Sequence, residues 1–550
     1  MQTSKPAGRG RLRREMSYVD LSFAGLGAII GSGWLFGVLY AANYAGPAAI
    51  LAWIIAAVIV IFIALVYAEL SGMLPEAGGI TRFPHFTHGS LAGFIMSWGA
   101  FLGYAAVPAI EAEAVVQYAE HYITSFQNNS ALDFVVEAII LLVFYAINIY
   151  GVKVFAKINS VVTFLKFITP TLTIIVILFV AKHWGNYTAT TAHGSGFMPY
   201  GTAGIFIAVS SGGIIFSLLG FRQAVDLAGE AKNPQRDVPR AILTAILLGA
   251  LVYTLVQVVF IAALPPNAIA KGWAALAYTS PFAQVATIIG LGWLASILYA
   301  DAVLSPSGTG LVYLSSGGRV VLGSARNNYL GNKFRSISER FGVPIWAMSI
   351  TVLFAIIFLL PFPSWQSLVG VISSATAFTY VMGPVSLAVF RKYHNDKHRP
   401  FRLQGAKAFG MLAFIGGTLI IYWSGWAVDW KLVVGILGGA VIYLVASWLG
   451  APVQKITSED WRSGIWLPVY LIAMLAIAYL GAARFGSPFN HNKGLIHYPF
   501  DIVVDIIIAI VFYTWAVASG RNSPETELAF ENAAEVRRST QGGDEVRLAD

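Results

Sequence analysis

Long apolar runs alternate with short polar segments along almost the whole chain, from residue 17 to residue 519. About 20 apolar residues are enough for a helix to cross a bilayer, so each run of that length is a candidate membrane span. Fourteen runs meet this criterion, at residues 17–42, 46–72, 90–120, 131–150, 157–181, 200–228, 238–263, 276–316, 343–361, 365–390, 408–426, 431–450, 464–483 and 500–519. The pattern predicts an all-α polytopic membrane protein.

Composition supports this class and excludes several others. The 550-residue chain is 57% hydrophobic and 11% charged, whereas soluble domains carry about 25% charged residues. It has no cysteine, which excludes disulfides, thiolate metal sites and cysteine nucleophiles. The sequence has neither a phosphate-binding P-loop nor a His-Glu-x-x-His motif, so we expect neither an enzyme nor direct ATP drive. No metal ion, other cofactor or catalytic residue is predicted.

Positive charge is distributed unevenly across the predicted membrane. With the N-terminus placed in the cytoplasm, 29 of the 35 Lys and Arg residues fall in cytoplasmic segments and five in outer ones. Cytoplasmic loops carry such an excess, so the bias predicts that both termini are cytoplasmic. It also explains the net charge of +8 without a nucleic-acid partner. The basic arm at residues 1–14 either only sets the orientation in the membrane or also contacts lipid. The polar tail after residue 520 is expected to be disordered.

Four glycines interrupt the first span: Gly27, Gly31, Gly33 and Gly37. Each weakens a helix by about 1 kcal/mol relative to alanine. Free backbone groups are tolerated in the membrane only where they line a cavity or are covered by protein. We therefore predict a broken helix whose exposed amides face an anionic group and whose exposed carbonyls face a cationic one. An α-amino acid carries both groups.

A second glycine-interrupted segment lies in the sixth span, at residues 210–220, where Gly212 and Gly213 are adjacent. Two such segments at corresponding positions of two five-helix repeats are typical of a transporter site. The alternative is that the glycines only allow close helix packing. The presence of two breaks favours a site.

Four motifs, in the expected order, resemble those of the amino acid–polyamine–organocation (APC) transporter superfamily over roughly residues 17–405. They lie at residues 27–37, 67–79, 220–240 and 399–403. The resemblance implies an amino acid permease with a LeuT-type 5+5 inverted repeat and about four additional C-terminal helices, similar to the cationic amino acid transporters. The implied parts are a basic cytoplasmic tail, two five-helix repeats, four additional transmembrane helices and a polar cytoplasmic tail, at residues 1–14, 15–182, 200–391, 406–520 and 521–550.

The resemblance also implies where an amino acid substrate binds. Its carboxylate is expected at amides of the first break, those of Gly31, Ser32 and Gly33. Its ammonium is expected at backbone carbonyls, those of Ile29, Phe216 and Leu219. Phe216 falls where the family has an aromatic lid, and ordinary hydrophobic packing is the alternative role for this side chain.

A lysine inside the fifth span, Lys166, is costly in lipid and is therefore a functional candidate. Snorkelling to the cytoplasmic interface is the alternative, although Lys166 lies about nine residues, or roughly 13 Å, beyond Lys157. The resemblance implies that a lysine at this position takes the space of a sodium ion in proton-coupled or sodium-independent relatives. A role in coupling is predicted.

Three carboxylates also lie inside predicted spans: Glu111, Glu113 and Asp301. Glu111 and Glu113 are two residues apart, and therefore about 200° apart around a helix, so both cannot face one cavity. Glu111 and Asp301 are candidates for binding a cationic side chain or a proton. Pairing with other buried polar groups or with water is the alternative.

The leading hypothesis is a secondary active transporter of amino acids or related amines in the cell membrane, working by proton symport or exchange without sodium. An inorganic-ion transporter on the same fold is the main alternative, and a channel or membrane sensor is a further one. Arg222 departs from the resemblance, because relatives often have an acidic residue there that senses protons in some of them. That mechanism is not carried over to this chain.

Overall fold

The computed structural model describes residues 14–128, 130–150, 152–360, 365–491 and 493–541. Most of the basic arm and the last nine residues of the tail lie outside these ranges. The described chain is almost entirely helical. Its one hairpin pairs β1 (Thr190–Thr191) antiparallel with β2 (Gly194–Ser195), with Thr190 opposite Ser195 and Thr191 opposite Gly194.

The helices follow the apolar runs of the sequence. Those before the hairpin are α1 Tyr18–Ile29, α2 Ser32–Ala45, α3 Ala49–Met73, α4 Gly79–Ala119, α5 Ser130–Ile149 and α6 Val152–Val180. The next group is α7 Gly201–Ser211, α8 Ile214–Leu218, α9 Gln223–Asp226, α10 Pro234–Ala263, α11 Pro266–Ile269, α12 Pro281–Ile288, α13 Gly292–Arg326, α14 Ile345–Phe358, α15 Trp365–Tyr380 and α16 Met382–Tyr393. The last group is α17 Ala406–Ser424, α18 Trp426–Trp448, α19 Ser458–Gly464, α20 Trp466–Leu480, α21 Phe500–Ser519 and α22 Pro524–Gln541.

Within the described ranges, ten helical stretches are long and apolar enough to cross a membrane, and eleven if the bent pair around Gly212 counts as one. The count is lower than fourteen partly because α2 and α3 form one continuous stretch. In addition, α1 and α14 have fewer than 18 residues. The predicted all-α membrane class is confirmed. The number of spans and the 5+5 repeat stay predictions.

The longest helices, α4 and α13, pack along each other at the centre of the molecule. Helix α1 lies against α10 and α6 and also contacts α13, so its broken end is enclosed by three other helices. The later helices surround this centre, because α17 packs on α3 and α15, and α20 packs on α18 and α21. The first-helix break is thereby held in the protein interior and not at a lipid-facing surface.

The expectation of a disordered tail was wrong for residues 524–541, which form the helix α22. Its acidic first turn meets basic groups from elsewhere in the chain: Glu525 lies 2.7 Å from His85 Nε2 on α4, and Glu527 lies 2.9 Å from Lys397 Nζ in the loop after α16. The ring of Phe530 also packs against Phe390. A polar composition predicted disorder because the sequence alone does not show that the molecule provides partners for these carboxylates.

Candidate substrate site

The first helix is broken where the glycines predict, between Ile29 and Ser32. Ile30 and Gly31 leave the helical conformation, and Gly31 has φ −126° and ψ −142°. A helix end leaves its last carbonyls and the first amides of the next helix without intrahelical partners. The break therefore exposes acceptors at the end of α1 and donors at the start of α2.

Carboxylate and hydroxyl groups from helices distant in sequence form hydrogen bonds with these free backbone groups. The Ser32 amide donates to Glu111 Oε2 at 2.8 Å, and Glu111 is fully buried on α4. The Tyr253 hydroxyl donates to the Ile29 carbonyl at 2.7 Å. On the Ser32 side chain, Oγ accepts from Trp365 Nε1 at 2.7 Å. The break thus already binds an anionic group at its amide end and a donor at its carbonyl end.

Lys166 points into the break and does not snorkel. Its side chain is fully buried, and Nζ donates to the Gly27 carbonyl and, at 2.9 Å, to Thr309 Oγ1. The Thr309 hydroxyl lies 2.8 Å from the Gly27 carbonyl oxygen and 3.2 Å from that of Ile30. A cluster of backbone carbonyls and a hydroxyl is the oxygen environment that a small cation prefers. Here an ammonium group of the protein fills it.

Two of the three predicted carboxylates belong to this cluster and the third does not. Glu111 and Asp301 both act on the Lys166 charge through space. Asp301 Oδ2 also accepts from Ser305 Oγ at 2.7 Å. Glu113 faces the other way and shares a hydrogen bond with Glu137 on α5, as the 200° separation requires.

The sixth span is also broken, and α7 and α8 meet at a bend of 50°. Gly213 has φ +81°, a left-handed conformation that glycine adopts without strain. A Cβ atom there would lie 2.9 Å from Trp365 Cη2. A Cβ atom on Gly220 would lie 2.8 Å from Ala28 Cβ. The glycines therefore fit both roles considered from the sequence. They interrupt the helix, and they also allow it to pack closely against α1.

The remaining predicted residues lie around these two breaks. A side chain on Gly33 would collide with Ser217 of α8. Phe216 is 5% exposed and meets the Trp365 ring edge-on, with ring centroids 5.8 Å apart. The Leu219 carbonyl accepts from the Tyr380 hydroxyl at 3.3 Å.

Sequence reasoning missed four contributors to the site. They are Tyr253, Thr309, Trp365 and Tyr380, each of which contacts a break from another helix. A tyrosine, threonine or tryptophan in an apolar span carries no distinctive signal by itself. Thr309 alone had a local indication, because it lies two turns after Asp301 in a stretch rich in small residues.

Three of the four family-like motifs, at residues 67–79, 220–240 and 399–403, meet on the predicted cytoplasmic side, where the Gly78 amide donates to the Asp226 carbonyl at 3.2 Å. Glu69 pairs with Arg391 at 2.6 Å and with Arg399 at 3.0 Å. Glu230 pairs with Arg319 at 2.6 Å, and its backbone carbonyl accepts from the amide of Met16 at 3.0 Å. The ion pairs of Glu69 join α3 to α16 and to the loop after it, and the ion pair of Glu230 joins the loop after α9 to α13. The backbone hydrogen bond joins the segment before α1 to that same loop.

A cleft of about 440 Å³ lies next to the sixth-helix break, on the predicted outer side of the protein. Ser211, the last residue of α7, lines it together with Gln366 and Trp423. Lys431 and Arg484, both predicted to be on the outer side, line its rim. The cleft therefore leads from the predicted outer face toward the neighbourhood of Trp365.

Comparison with known proteins is consistent with this arrangement. The sequence profile described as amino acid permease matches residues 16–512. The chain is 37% identical to the glutamate/serine transporter AimA of Bacillus subtilis (strain 168) over 93% of this chain and 94% of the relative. It is 35% identical to the aspartate-proton symporter of the same organism, over 93% and 98%. It is also 27% identical to human cationic amino acid transporter 4, over 69% and 60%.

Proposed function

Because this chain belongs to the amino acid permease family, and is an amino acid transporter and not an enzyme, we propose that it carries small and acidic amino acids with protons and without sodium. The substrate class rests on the relatives that are a glutamate/serine transporter and an aspartate-proton symporter. Inorganic-ion transport, the earlier alternative, has no support among these relatives and is not retained.

The observation that carries the proposal is the pair of opposite polarities at the first-helix break. The Ser32 amide binds the Glu111 carboxylate, and the Gly27 carbonyl binds the Lys166 ammonium. A substrate carboxylate would take the amides of Gly31, Ser32 and Gly33 in place of Glu111. The Ile29 carbonyl accepts from the Tyr253 hydroxyl at 2.7 Å and from the Gly31 amide at 3.0 Å. Because a carbonyl oxygen has two lone pairs, one would become available to a substrate ammonium when the substrate carboxylate takes the Gly31 amide.

Sodium independence follows from the position of Lys166. A cation at the Gly27 carbonyl and the Thr309 hydroxyl would have to displace a buried ammonium that donates to both. The fixed positive charge supplies the same attraction for the carbonyls as a bound sodium ion would. We therefore expect no requirement for sodium.

Proton coupling would use the charged cluster of Glu111, Lys166 and Asp301. A proton on Glu111 removes its negative charge and weakens its hold on the Ser32 amide. That amide then becomes available to the substrate carboxylate. The proton and the substrate would thereby favour each other, which is the requirement for symport.

The proposed architecture is a LeuT-type 5+5 repeat with four additional helices, fourteen spans in all, both termini cytoplasmic, in the cell membrane of the host. Its support is the pair of facing breaks and the excess of cytoplasmic Lys and Arg. The first and sixth helices would rock against the other helices to give alternating access. Phe216 would close over the substrate as a lid.

The test is uptake into proteoliposomes that contain the purified full chain. Labelled glutamate, aspartate, serine, leucine and arginine are each supplied in sodium-free buffer, with and without an inward proton gradient. We expect the gradient to drive accumulation of glutamate, aspartate and serine, and protein-free liposomes to accumulate none. A requirement for sodium would contradict the proposed coupling. Absence of uptake and of counterflow for every amino acid would contradict the function itself.

A further inference from the structure

One buried charge near the sixth-helix break is left largely unpaired by the protein. Arg222 is 1% exposed and ends the short helical turn Leu219–Arg222, which directly follows α8. Three residues at a rise of about 2 Å each put it about 6 Å along the axis from Leu219. The side chains of Arg222 and of an acidic amino acid can together cover that distance.

The guanidinium of Arg222 is held by aromatic rings and one hydroxyl. Its central carbon lies 4.0 Å from the centre of the Tyr104 ring and 5.5 Å from that of Tyr380. Nη1 donates to Thr379 Oγ1 at 3.2 Å, whereas Nε and Nη2 have no hydrogen-bond partner among the described residues. These contacts fix the orientation of the guanidinium plane and leave two of its nitrogens available.

Arg222 has no directly paired counter-ion among the described residues. In the part of the chain that the structure describes, Arg222 takes part in none of the ion pairs within 4.0 Å. Asp226 attracts it through space. One oxygen of that carboxylate accepts from the Tyr104 hydroxyl, and the other has no hydrogen-bond partner among the described residues. The other fully buried arginine, Arg319, donates to both oxygens of Glu230, at 2.6 and 3.1 Å. A buried charge without a paired partner destabilises the folded protein. Arg222 is therefore a better candidate for a functional role than Arg319.

A second unpartnered group lies close to the free nitrogens of Arg222. A Cβ atom built on Gly103 would lie 3.9 Å from Arg222 Nη2 and 3.1 Å from Thr376 Oγ1. Thr376 is fully buried, and its hydroxyl has no partner among the described residues. The buried polar side chains of Arg222 and Thr376 therefore both lie near the same point beside Gly103.

Tyr380 links the position beside Gly103 to the Leu219 carbonyl, where the substrate ammonium is expected. Tyr380, whose ring faces the Arg222 guanidinium, donates to the Leu219 carbonyl at 3.3 Å. A ligand that binds at Leu219 through its ammonium would therefore direct its side chain along this tyrosine toward Arg222. Arginine presents a planar fork that matches a carboxylate in a bidentate geometry.

We propose that Arg222 determines specificity by pairing with the side-chain carboxylate of an acidic amino acid substrate, with Thr376 as a second donor and Gly103 providing the space. This inference deepens the proposed function and rests on it. The first-helix break would bind the groups common to all amino acids, and the Arg222 subsite would select among their side chains.

The test measures how strongly unlabelled glutamate and serine each inhibit uptake of labelled serine into proteoliposomes. We expect Arg222→Gln to weaken inhibition by glutamate by roughly 10- to 100-fold, the effect of losing a hydrogen bond to a charged group. Inhibition by serine should change by less than about threefold. Arg222→Lys, which keeps the charge and loses the fork, should give an intermediate loss.

Gly103→Ala is the second variant, because it leaves Arg222 in place and is informative even if arginine variants fail to fold. Its methyl group would narrow the subsite, so it too should weaken glutamate more than serine. An equal loss for both amino acids, or no change in either, in variants that elute as the wild type does in gel filtration would overturn the inference.

Two wild-type outcomes separate this inference from the proposed function. If the protein transports serine and glutamate does not compete, the Arg222 subsite is wrong while amino acid transport stands. If the protein transports no amino acid, both are overturned.

Discussion

The two helix breaks are both made by glycines, but the protein completes them differently. At the first break, Glu111, Lys166, Tyr253 and Thr309 each bind a free backbone group. At the sixth break, Gly213 instead allows Trp365 to approach the backbone closely. At the first break, the buried Lys166 ammonium has Glu111 and Asp301 as opposite charges nearby. The sixth break is close to a buried cation, Arg222, that forms no ion pair within 4.0 Å in the described part of the chain.

The difference indicates a division of labour within one site. In the proposed function, the groups that would take up the proton and the backbone groups that would bind the invariant part of an amino acid lie at the first break. Arg222, beyond the sixth break, lies where side chains of different substrates would differ. Substitutions at the first break should therefore affect transport of all substrates, and those near Arg222 should affect the choice among them.

The largest effect is expected from Lys166→Ala. It removes the ammonium at the Gly27 carbonyl and leaves Glu111 and Asp301 without their shared cation. Removing one partner of a buried charged cluster costs about 3–5 kcal/mol because the remaining charge is left uncompensated. We expect this cost to disturb the break that every substrate uses, so proton-driven uptake should fall by at least about 100-fold for every substrate, the equivalent of about 3 kcal/mol. The measurement is the pH profile of uptake of glutamate and serine.

Lys182→Ala is the matched control, because this lysine lies just beyond the outer end of the same helix, α6. It should transport as the wild type does. If Lys166→Ala kept the pH dependence of the wild type, or lost glutamate uptake while keeping serine uptake, the assignment of coupling to the first break would be wrong.

A smaller effect is expected from adding single methyl groups to the glycines of the first span. A Cβ atom at Gly31 would lie 2.5 Å from Thr309 Oγ1 and 2.7 Å from Glu111 Oε1, so Gly31→Ala should disturb the break. We expect the KM for serine and glutamate to rise together by about tenfold, the equivalent of about 1.4 kcal/mol.

Gly37→Ala provides the comparison within the same span. The nearest atoms to its Cβ, Ser217 Oγ and Trp53 Cζ2, would lie 3.4 and 3.7 Å away. This variant should therefore transport nearly as the wild type does. Equal effects of Gly31→Ala and Gly37→Ala would mean that the glycines act only through general helix packing.

The smallest effect on transport is expected far from both breaks, at the docked helix α22. The hydrogen bond with His85 holds the pKa of Glu525 below its ordinary value. A lowered pKa means that the contact stabilises docking above the ordinary carboxyl pKa of about 4.3 and is lost as pH falls through the lowered value.

Glu525→Gln should therefore speed hydrogen exchange of the α22 amides at pH 7 by up to about fivefold, the range for an exposed ion pair. Glu535→Gln, an exposed carboxylate on the same helix, should leave exchange unchanged. Neither variant should alter the ratio of glutamate to serine affinity. A changed ratio would mean that selection is not confined to the region near Arg222.

The sequence predicted the positions of both breaks because a break is a local property. Glycine weakens a helix wherever it occurs, and clusters of glycine at residues 27–37 and 210–220 predict interruptions without knowledge of the rest of the chain. The same local reasoning predicted that Glu111 and Glu113 point apart. It failed for α22, whose helix is stabilised by contacts with His85 and Lys397.

The sequence by itself determined the all-α membrane class, the two interrupted helices and the candidate charges, since hydropathy and helix propensity act over neighbouring residues. Only the tertiary structure decided which groups meet: Glu111 reaches an amide 79 positions earlier, and Lys166 a carbonyl 139 positions earlier. Those pairings depend on how whole helices pack, because packing decides which buried charge finds a partner. It gave Arg319 a carboxylate at 2.6 Å and, in the part of the chain that the structure describes, left Arg222 without an ion pair within 4.0 Å.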